Sequence, residues 1–411
     1  MVQSLRELSP KQRSAALASY LGWTLDAFDF FILVFIMEDI AKEFGTGLKA
    51  VTYAIFLTLA ARPIGALAFG AAADRFGRRP VLMINILAFS LLEFASGLAP
   101  TLGSFLMLRA LFGIAMGGEW GVGASLIMET IPPRARGAVS GILQAGYPSG
   151  YLLASVAYFA LYGLIGWRGM FFAGALPALL VVYIRGKVEE SPAFLARATV
   201  RQDSGIKGLL RGNAKLFLYA VLLMTAFNFL SHGTQDLYPA FLSLQHHFPP
   251  RLVGLIATGY NIGAILGGVF LGAVSERIGR CRGILIAALG ALCVIPLWAY
   301  GTSPLMLASG AFLMQFAVQG AWGIVPAHLN ELSPHNMRGT FPGFVYQTGN
   351  LLASANATLQ AWIAEANGGN YAFALSLVTA IVALALAGLT FSGIEARGVK
   401  FHGGPENPED G

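Results

Sequence analysis

One segment of this chain places several proton-active and polar side chains on a single helical stripe. It reads Asn228-Phe-Leu-Ser231-His232-Gly-Thr234-Gln235-Asp236, preceded and followed mainly by Leu, Phe, Met and Ala. Asn228, His232 and Asp236 recur at i, i+4 and i+8, so they share a helix face, and Ser231 and Gln235 flank it. Histidine is the side chain whose unperturbed pKa lies nearest neutrality. An acid one turn away gives it a partner for holding and releasing a proton. A lone histidine on an apolar helix would read as a satisfied core residue, whereas one inside a polar stripe reads as functional.

Five more charges sit where apolar sequence surrounds them. Asp26 and Asp29 lie in Gly22-Trp-Thr-Leu-Asp26-Ala-Phe-Asp29, Glu119 lies in Gly117-Gly-Glu119-Trp120, and Arg62 and Arg109 interrupt other apolar runs. Asp26 and Asp29 are three apart and share a face, and two close carboxylates in low dielectric resist joint ionisation. Such a pair is a place to hold a proton. Arg62 and Arg109 read two ways: as a bidentate clamp for an anionic substrate, or as ion-pair partners of Asp26 or Asp29. Gln144, Tyr147, Gln319 and Gln347 are further polar interruptions that could line a cavity.

The elements that must position these groups are membrane helices. Of 411 residues, 56% are hydrophobic and 12% are charged, where a soluble protein carries about a quarter. That is too little charge for a soluble skin. Apolar runs of spanning length fall near 15–37, 49–73, 80–98, 103–129, 137–163, 167–185, 213–240, 252–275, 283–300, 304–330, 339–364 and 370–393. The fold expected is an all-α membrane protein of twelve transmembrane helices in two six-helix halves. Residues 1–186 form the first bundle, 187–212 a polar cytoplasmic loop, 213–395 the second bundle and 396–411 a cytoplasmic tail. The loop carries Lys187, Glu189, Glu190, Arg197, Arg201, Asp203, Lys207 and Arg211, and the stretch Pro405–Gly411 is acidic.

Charge placement orients the chain. With both termini inside, the cytoplasmic side holds Arg6, Lys11, Arg13, Arg75, Arg78, Arg79, Arg134, Arg136, the central loop, Arg277, Arg280, Arg282, Arg338, Arg397 and Lys400. The other side holds Lys42, Lys49, Arg168 and Arg251. Positive charge gathers inside, so the asymmetry predicts a multi-pass protein of the inner or plasma membrane with cytoplasmic termini. The formal charge of +6 does not indicate nucleic acid, because the basic residues sit in short clusters between apolar runs. The two cysteines, Cys281 and Cys293, fall on one predicted helix roughly 18 Å apart and cannot bridge.

A repeat runs through the chain. Gly70-Ala-Ala-Ala-Asp74-Arg75-Phe-Gly77-Arg78-Arg79 returns 202 positions later as Gly272-Ala-Val-Ser-Glu276-Arg277-Ile-Gly279-Arg280. At the same offset Trp120, Glu129, Arg136 and Gly137 correspond to Trp322, Glu331, Arg338 and Gly339. Both copies face the same side, so the halves are parallel repeats. Asp74, Arg75, Arg78, Glu129 and Arg136, with Glu276, Arg277, Glu331 and Arg338, are expected to form a cytoplasmic gate that cross-links helix ends.

Gly-x-x-x-Asp-Arg-x-Gly-Arg-Arg after the second helix resembles the motif of the major facilitator superfamily. The seventh-helix pattern, with Asp-Ala-Phe-Asp-Phe-Phe and Gly-Gly-Glu-Trp-Gly, resembles the yeast-type lactate/pyruvate:proton symporters, a branch of the sialate:proton symporter family. That resemblance implies monocarboxylate binding and proton coupling at Asn228, Ser231, His232, Thr234, Gln235 and Asp236. Ala240 departs from the pattern, which has Thr there. No phosphate loop, nucleotide fingerprint or metal-ligand spacing is present. The expected function is therefore gradient-driven: symport of protons with a small organic anion, foremost lactate or pyruvate, by a monomer without cofactor, metal or nucleic acid. Transport of sialate or an aromatic acid, and nutrient sensing on a transporter scaffold, are the alternatives; an enzyme is not expected.

Overall fold

The computed structural model describes residues 5–197 and 212–401; Arg201, Asp203, Lys207 and Arg211 of the central loop and the acidic stretch 405–411 lie outside the described residues. All regular structure among the described residues is helical. Among the described residues, ten helical stretches are long and apolar enough to span a bilayer: Pro10–Glu43, Leu48–Phe76, Arg78–Gly97, Leu102–Thr130, Pro133–Ala173, Ala214–Leu244, Pro250–Ile278, Arg280–Tyr300, Pro304–Leu332 and Tyr371–Phe391. Two further crossings are built from shorter pieces. Gly166, at φ 62°, ends the fifth crossing inside Pro133–Ala173, and the sixth continues through Ala178–Lys187. The eleventh is Phe341–Ala353 followed by Asn356–Ala366. Twelve crossings in two halves result.

The expected helices are longer or more broken than the hydropathy runs. The first begins at Pro10 because Ser9 and Gln12 form a capping box. The seventh, expected as one helix over 213–240, is split into Ala214–Gln235 and Tyr238–Leu244, with Pro239 in the first turn of the outer piece. Phe159, Leu164, Val182, Leu305 and Phe391 are largely exposed. On a membrane protein this apolar skin faces acyl chains rather than water.

The repeat read in the sequence recurs in the packing. A methyl group on Gly65 would collide with the Ile114 carbonyl oxygen, and one on Gly267 with that of Phe316. These close approaches, 202 residues apart, bring the second helix against the fourth and the eighth against the tenth. Gly77 and Gly279, at φ 106° and 101°, turn the chain into the third and ninth helices.

Hydrogen bonds joining the halves gather at the face that carries the arginine motifs, here termed the basic face. Asp74 accepts from the Gly339 amide (2.8 Å), the Thr340 amide (2.9 Å) and the Thr340 hydroxyl (2.7 Å). Glu276 accepts from the Gly137 amide (2.6 Å), and the Ala327 amide donates to Ser140 (3.1 Å). This end of the interface is closed.

Gly279→Ala tests the turn. The added Cβ would sit 2.6 Å from Glu395 Oε2 at a backbone angle L-residues avoid, so the variant is expected to lose roughly 1–2 kcal/mol. A thermal-unfolding midpoint in detergent several degrees below the parent is the expected reading; an unchanged midpoint counts against the strain.

A polar cleft between two pseudo-symmetric halves

The charges of the first half fall into two environments. Arg109 is fully buried; it donates to Glu93 Oε2 (2.7 Å) and Ser96 Oγ (2.6 Å), with the rings of Phe112 and Phe171 beside it at 4.3 and 5.1 Å. The sequence left open a pairing of Arg109 with Asp26 or Asp29. Its ion-pair partner is instead Glu93 on the third helix, a charge inside the apolar run Leu91-Leu-Glu93-Phe that the same criterion of misplaced charge would have flagged.

Arg62 is different. It is 2% exposed, yet among the described residues no carboxylate lies within 4 Å of it. Its Nη2 approaches Met116 Sδ (2.7 Å), and its guanidinium lies 5.2 Å from the Phe30 ring. Its charge reaches Asp26 in its own half, and Tyr346 and His232 in the other. Asp26, Asp29 and Glu119 are buried, and none of their carboxylate oxygens has a hydrogen-bond partner among the described residues. Asp26 is the charged neighbour of Glu119, and Glu93 is a charged neighbour of Asp29.

The seventh-helix stripe faces this group from the second half. His232 Nδ1 is 3.1 Å from Asp236 Oδ2, and Nε2 is 3.0 Å from Asn350 Oδ1 on the eleventh crossing. The two side chains are 32% and 41% exposed although they lie far along a membrane helix, so they border an open cleft. Tyr147 of the first half and Tyr260 of the second both lie within reach of the Asp236 charge. Ser231 accepts from Gln319 (3.0 Å), Gln235 donates to Gln315 (2.8 Å), and Gln315 donates to the Thr234 hydroxyl (3.0 Å). Asn228 does not join: its amide donates back to the Met224 carbonyl of its own helix (2.7 Å). The break at Asp236–Leu237 leaves the Gly233 carbonyl without a helical donor, and Gln360 of the eleventh crossing supplies one (2.9 Å). In a bilayer such freed groups need a protein partner.

Aromatic rings close the cleft toward the basic face. Tyr346 lies between Trp120 and Trp322, the two repeat-related tryptophans, with centroids at 4.7 and 5.3 Å. Trp120 donates to Gln144 (3.2 Å), and Gln347 is buried with Oε1 unpartnered among the described residues. Tyr147 stacks on Trp23 (5.4 Å) and meets Phe31 edge-on (5.3 Å), which in turn meets Tyr151 (4.9 Å). The sequence marks Tyr147, Gln144, Gln319 and Gln347 as lining candidates, and the structure adds the rings of Trp23 and Phe31 beside Tyr147.

At the basic face each half builds the same buried cluster. Arg78 pairs with Asp74 (3.1 Å) and Glu129 (3.0 Å); Arg280 pairs with Glu276 (3.1 Å) and Glu331 (2.9 Å). Arg136 of the first half reaches Glu331 of the second at 3.6 Å, and Ser125 donates to the Arg338 carbonyl. Arg75 and Arg277, expected in the same cluster, are exposed, and Arg75 lies over its neighbour Phe76. Arg280 takes the central place in the second half.

Twelve crossings, a two-fold repeat, a closed end and an open polar cleft define a membrane transporter rather than an enzyme. The family model of the Major Facilitator Superfamily matches residues 19–235 and 221–409, one match over each half. This chain belongs to that superfamily. It is 29% identical to the carboxylic acid transporter protein homolog of Saccharomyces cerevisiae, over 98% of this chain and 70% of that one. It is 25% identical to the sialic acid transporter NanX of Escherichia coli over 96% of each chain. It is 27% identical to the cis,cis-muconate transport protein of Acinetobacter baylyi over 84% of this chain and 86% of the relative. Among solved structures, the proton:xylose symporter XylE superposes with a TM-score of 0.77 at 19% identity, covering 94% of this chain and 97% of that one.

The Glu93–Arg109 pair yields a stability test. Glu93→Leu leaves a buried guanidinium unpaired and is expected to cost about 3–5 kcal/mol, whereas Glu93→Leu with Arg109→Met restores most of it. Thermal midpoints of the two purified variants check this; a single variant as stable as the parent would remove the pair from the account.

Proposed function

We propose that this protein is a proton-coupled symporter of a small organic anion, foremost a monocarboxylate such as lactate or pyruvate, working by alternating access. The observation that carries the reading is the pair of unequal arginines. Arg109 already has its carboxylate in contact, in Glu93, whereas buried Arg62 has none within 4 Å among the described residues, and its charge reaches Asp26 on one side and His232 across the cleft. A desolvated guanidinium with no anion of its own is a place for the carboxylate of a substrate. The relatives named for carboxylic acid, sialic acid and muconate transport support an anionic cargo.

Proton coupling rests on charge balance. Away from the basic face, Asp26, Asp29, Glu93 and Glu119 are buried in the first half with two guanidinium groups, Arg62 and Arg109. An interior with two more carboxylates than cations resists full ionisation, and protons relieve it. Across the cleft, His232 and Asp236 are partly exposed, while Ser231, Thr234 and Gln235 hold their helix in register with the tenth. In this cycle the anion binds Arg62 and a proton joins the carboxylate set. The loaded cleft then carries little net charge, and the halves reorient by differential stability of the two states. The Asp74, Glu129, Arg136, Glu276, Glu331 and Arg338 clusters serve as the gate. The excess of Lys and Arg on the basic face makes that face cytoplasmic.

The rings of Trp23, Phe31, Tyr147 and Tyr151 favour a second reading, an organic acid with a planar or aromatic body. Uptake of labelled lactate into proteoliposomes under an inward proton gradient, with and without a protonophore, tests the first reading, and competition by unlabelled benzoate, muconate and sialate tests the second. Gradient-dependent accumulation abolished by the protonophore is expected; none above empty vesicles, with folded protein, excludes lactate.

Two substitutions sharpen the assignment. Arg62→Gln is expected to reduce uptake at least a hundredfold while leaving the thermal midpoint near the parent's, and Asp236→Asn to abolish accumulation or uncouple it from the gradient. Parent-like proton-driven uptake by either variant removes that residue from the mechanism.

A further inference from the structure

The chain does not leave the molecule after its last helix. The Cys281 amide donates to Glu395 Oε2 (3.0 Å), Arg397 Nη1 donates to the Arg277 carbonyl (2.7 Å), and the Gly398 amide points to Glu331 Oε1 (3.5 Å). These bonds fasten residues 395–398 to the second half. Three residues on, Phe401 is 5% exposed. Its ring lies between two guanidinium groups, with Arg136 at 3.7 Å and Arg338 at 4.2 Å from the centroid. Arg136 also donates to the Val399 carbonyl (2.6 Å), and Arg338 to that of Phe401 (3.4 Å).

Arg136 belongs to the first half and Arg338 to the second, and they are repeat partners 202 positions apart. Closing the basic face therefore brings the two arginines to one ring, with Arg136 also reaching Glu331 of the second half at 3.6 Å. The ring at their meeting point, with a backbone carbonyl for each, adds two cation–π interactions and two charge-assisted hydrogen bonds that exist together only in the closed state. The segment is fixed to the second half upstream and grips the first through Arg136. When the halves part at this face, Phe401 can stay with one arginine and must release the other.

We propose that residues 395–401 are a strap that holds the basic face shut, weighting the alternating-access equilibrium toward the state closed there. The strap sets how readily the protein opens to that side, whatever it carries. This stands apart from the choice of substrate, so its test uses no substrate.

The experiment is a distance measurement on full-length protein in nanodiscs. Nitroxide labels go on Phe76→Cys and Arg282→Cys, exposed sites at the basic ends of opposite halves, in a Cys281→Ser, Cys293→Ser background. The intact chain is expected to give mainly the short distance. Phe401→Ala is expected to raise the long-distance population about five-fold or more, as removing one cation–π interaction from a desolvated site would do. If the alanine variant does not fold, Phe401→Leu carries the same comparison, since it keeps apolar volume and removes the π faces. A folded variant of either kind with the parent's distance distribution overturns the proposal.

Discussion

The structure depends on a reciprocal exchange of hydrogen bonds between its halves. Asp74 of the first half caps the Gly339 amide of the second, and Glu276 of the second caps the Gly137 amide of the first. These are the same bond made twice, since Asp74 corresponds to Glu276 and Gly137 to Gly339 at an offset of 202. A carboxylate that accepts a backbone amide in a buried setting forms a short charge-assisted bond. It cannot be swapped for water without opening the interface. Arg78 and Arg280 stand behind the two acids and hold them in place. The pseudo-two-fold axis thus passes through a closed end whose two clasps are chemically alike.

The open end works under the opposite constraint. No lipid-facing group can satisfy a charge in the bilayer, so the buried charges of the first half answer to one another and to the cleft. One arginine is consumed internally by Glu93, and the other is not. Arg62 has no carboxylate within 4 Å among the described residues, and its charge reaches Asp26 in its own half and His232 in the other. The polar stripe of the seventh helix then faces it from the second half, tied to the tenth and eleventh crossings by Ser231, Gln235 and His232.

Most of the architecture was legible in the residues. Hydropathy located the twelve crossings, and one offset joining two motifs disclosed the two-fold repeat without any knowledge of packing. The His232–Asp236 pairing followed from helical spacing alone. What stayed hidden required knowing which helices touch. Glu93 is a misplaced charge that the sequence displays, but its pairing with Arg109, sixteen residues on, appears only once the third and fourth helices pack. Asn228 carried the right spacing but turns its amide onto Met224, a choice between backbone and cleft that periodicity does not encode. Arg75 and Arg277 shared the motif with Arg78 and Arg280, yet they point outward, because a motif fixes residue types and not the face each one takes.

The interrupted seventh helix bears on how polar residues in such a cleft are to be understood. Gln360 exists in this packing to replace a missing helical donor at Gly233, and Gln315 hydrogen-bonds the Thr234 hydroxyl beside the same break. Both are carpentry for a broken backbone. Such positions owe their polarity to the backbone as much as to the cleft. A survey of mutational sensitivity across the cleft would therefore return two superimposed maps, one of recognition and one of joinery, and only a change of substrate would pull them apart.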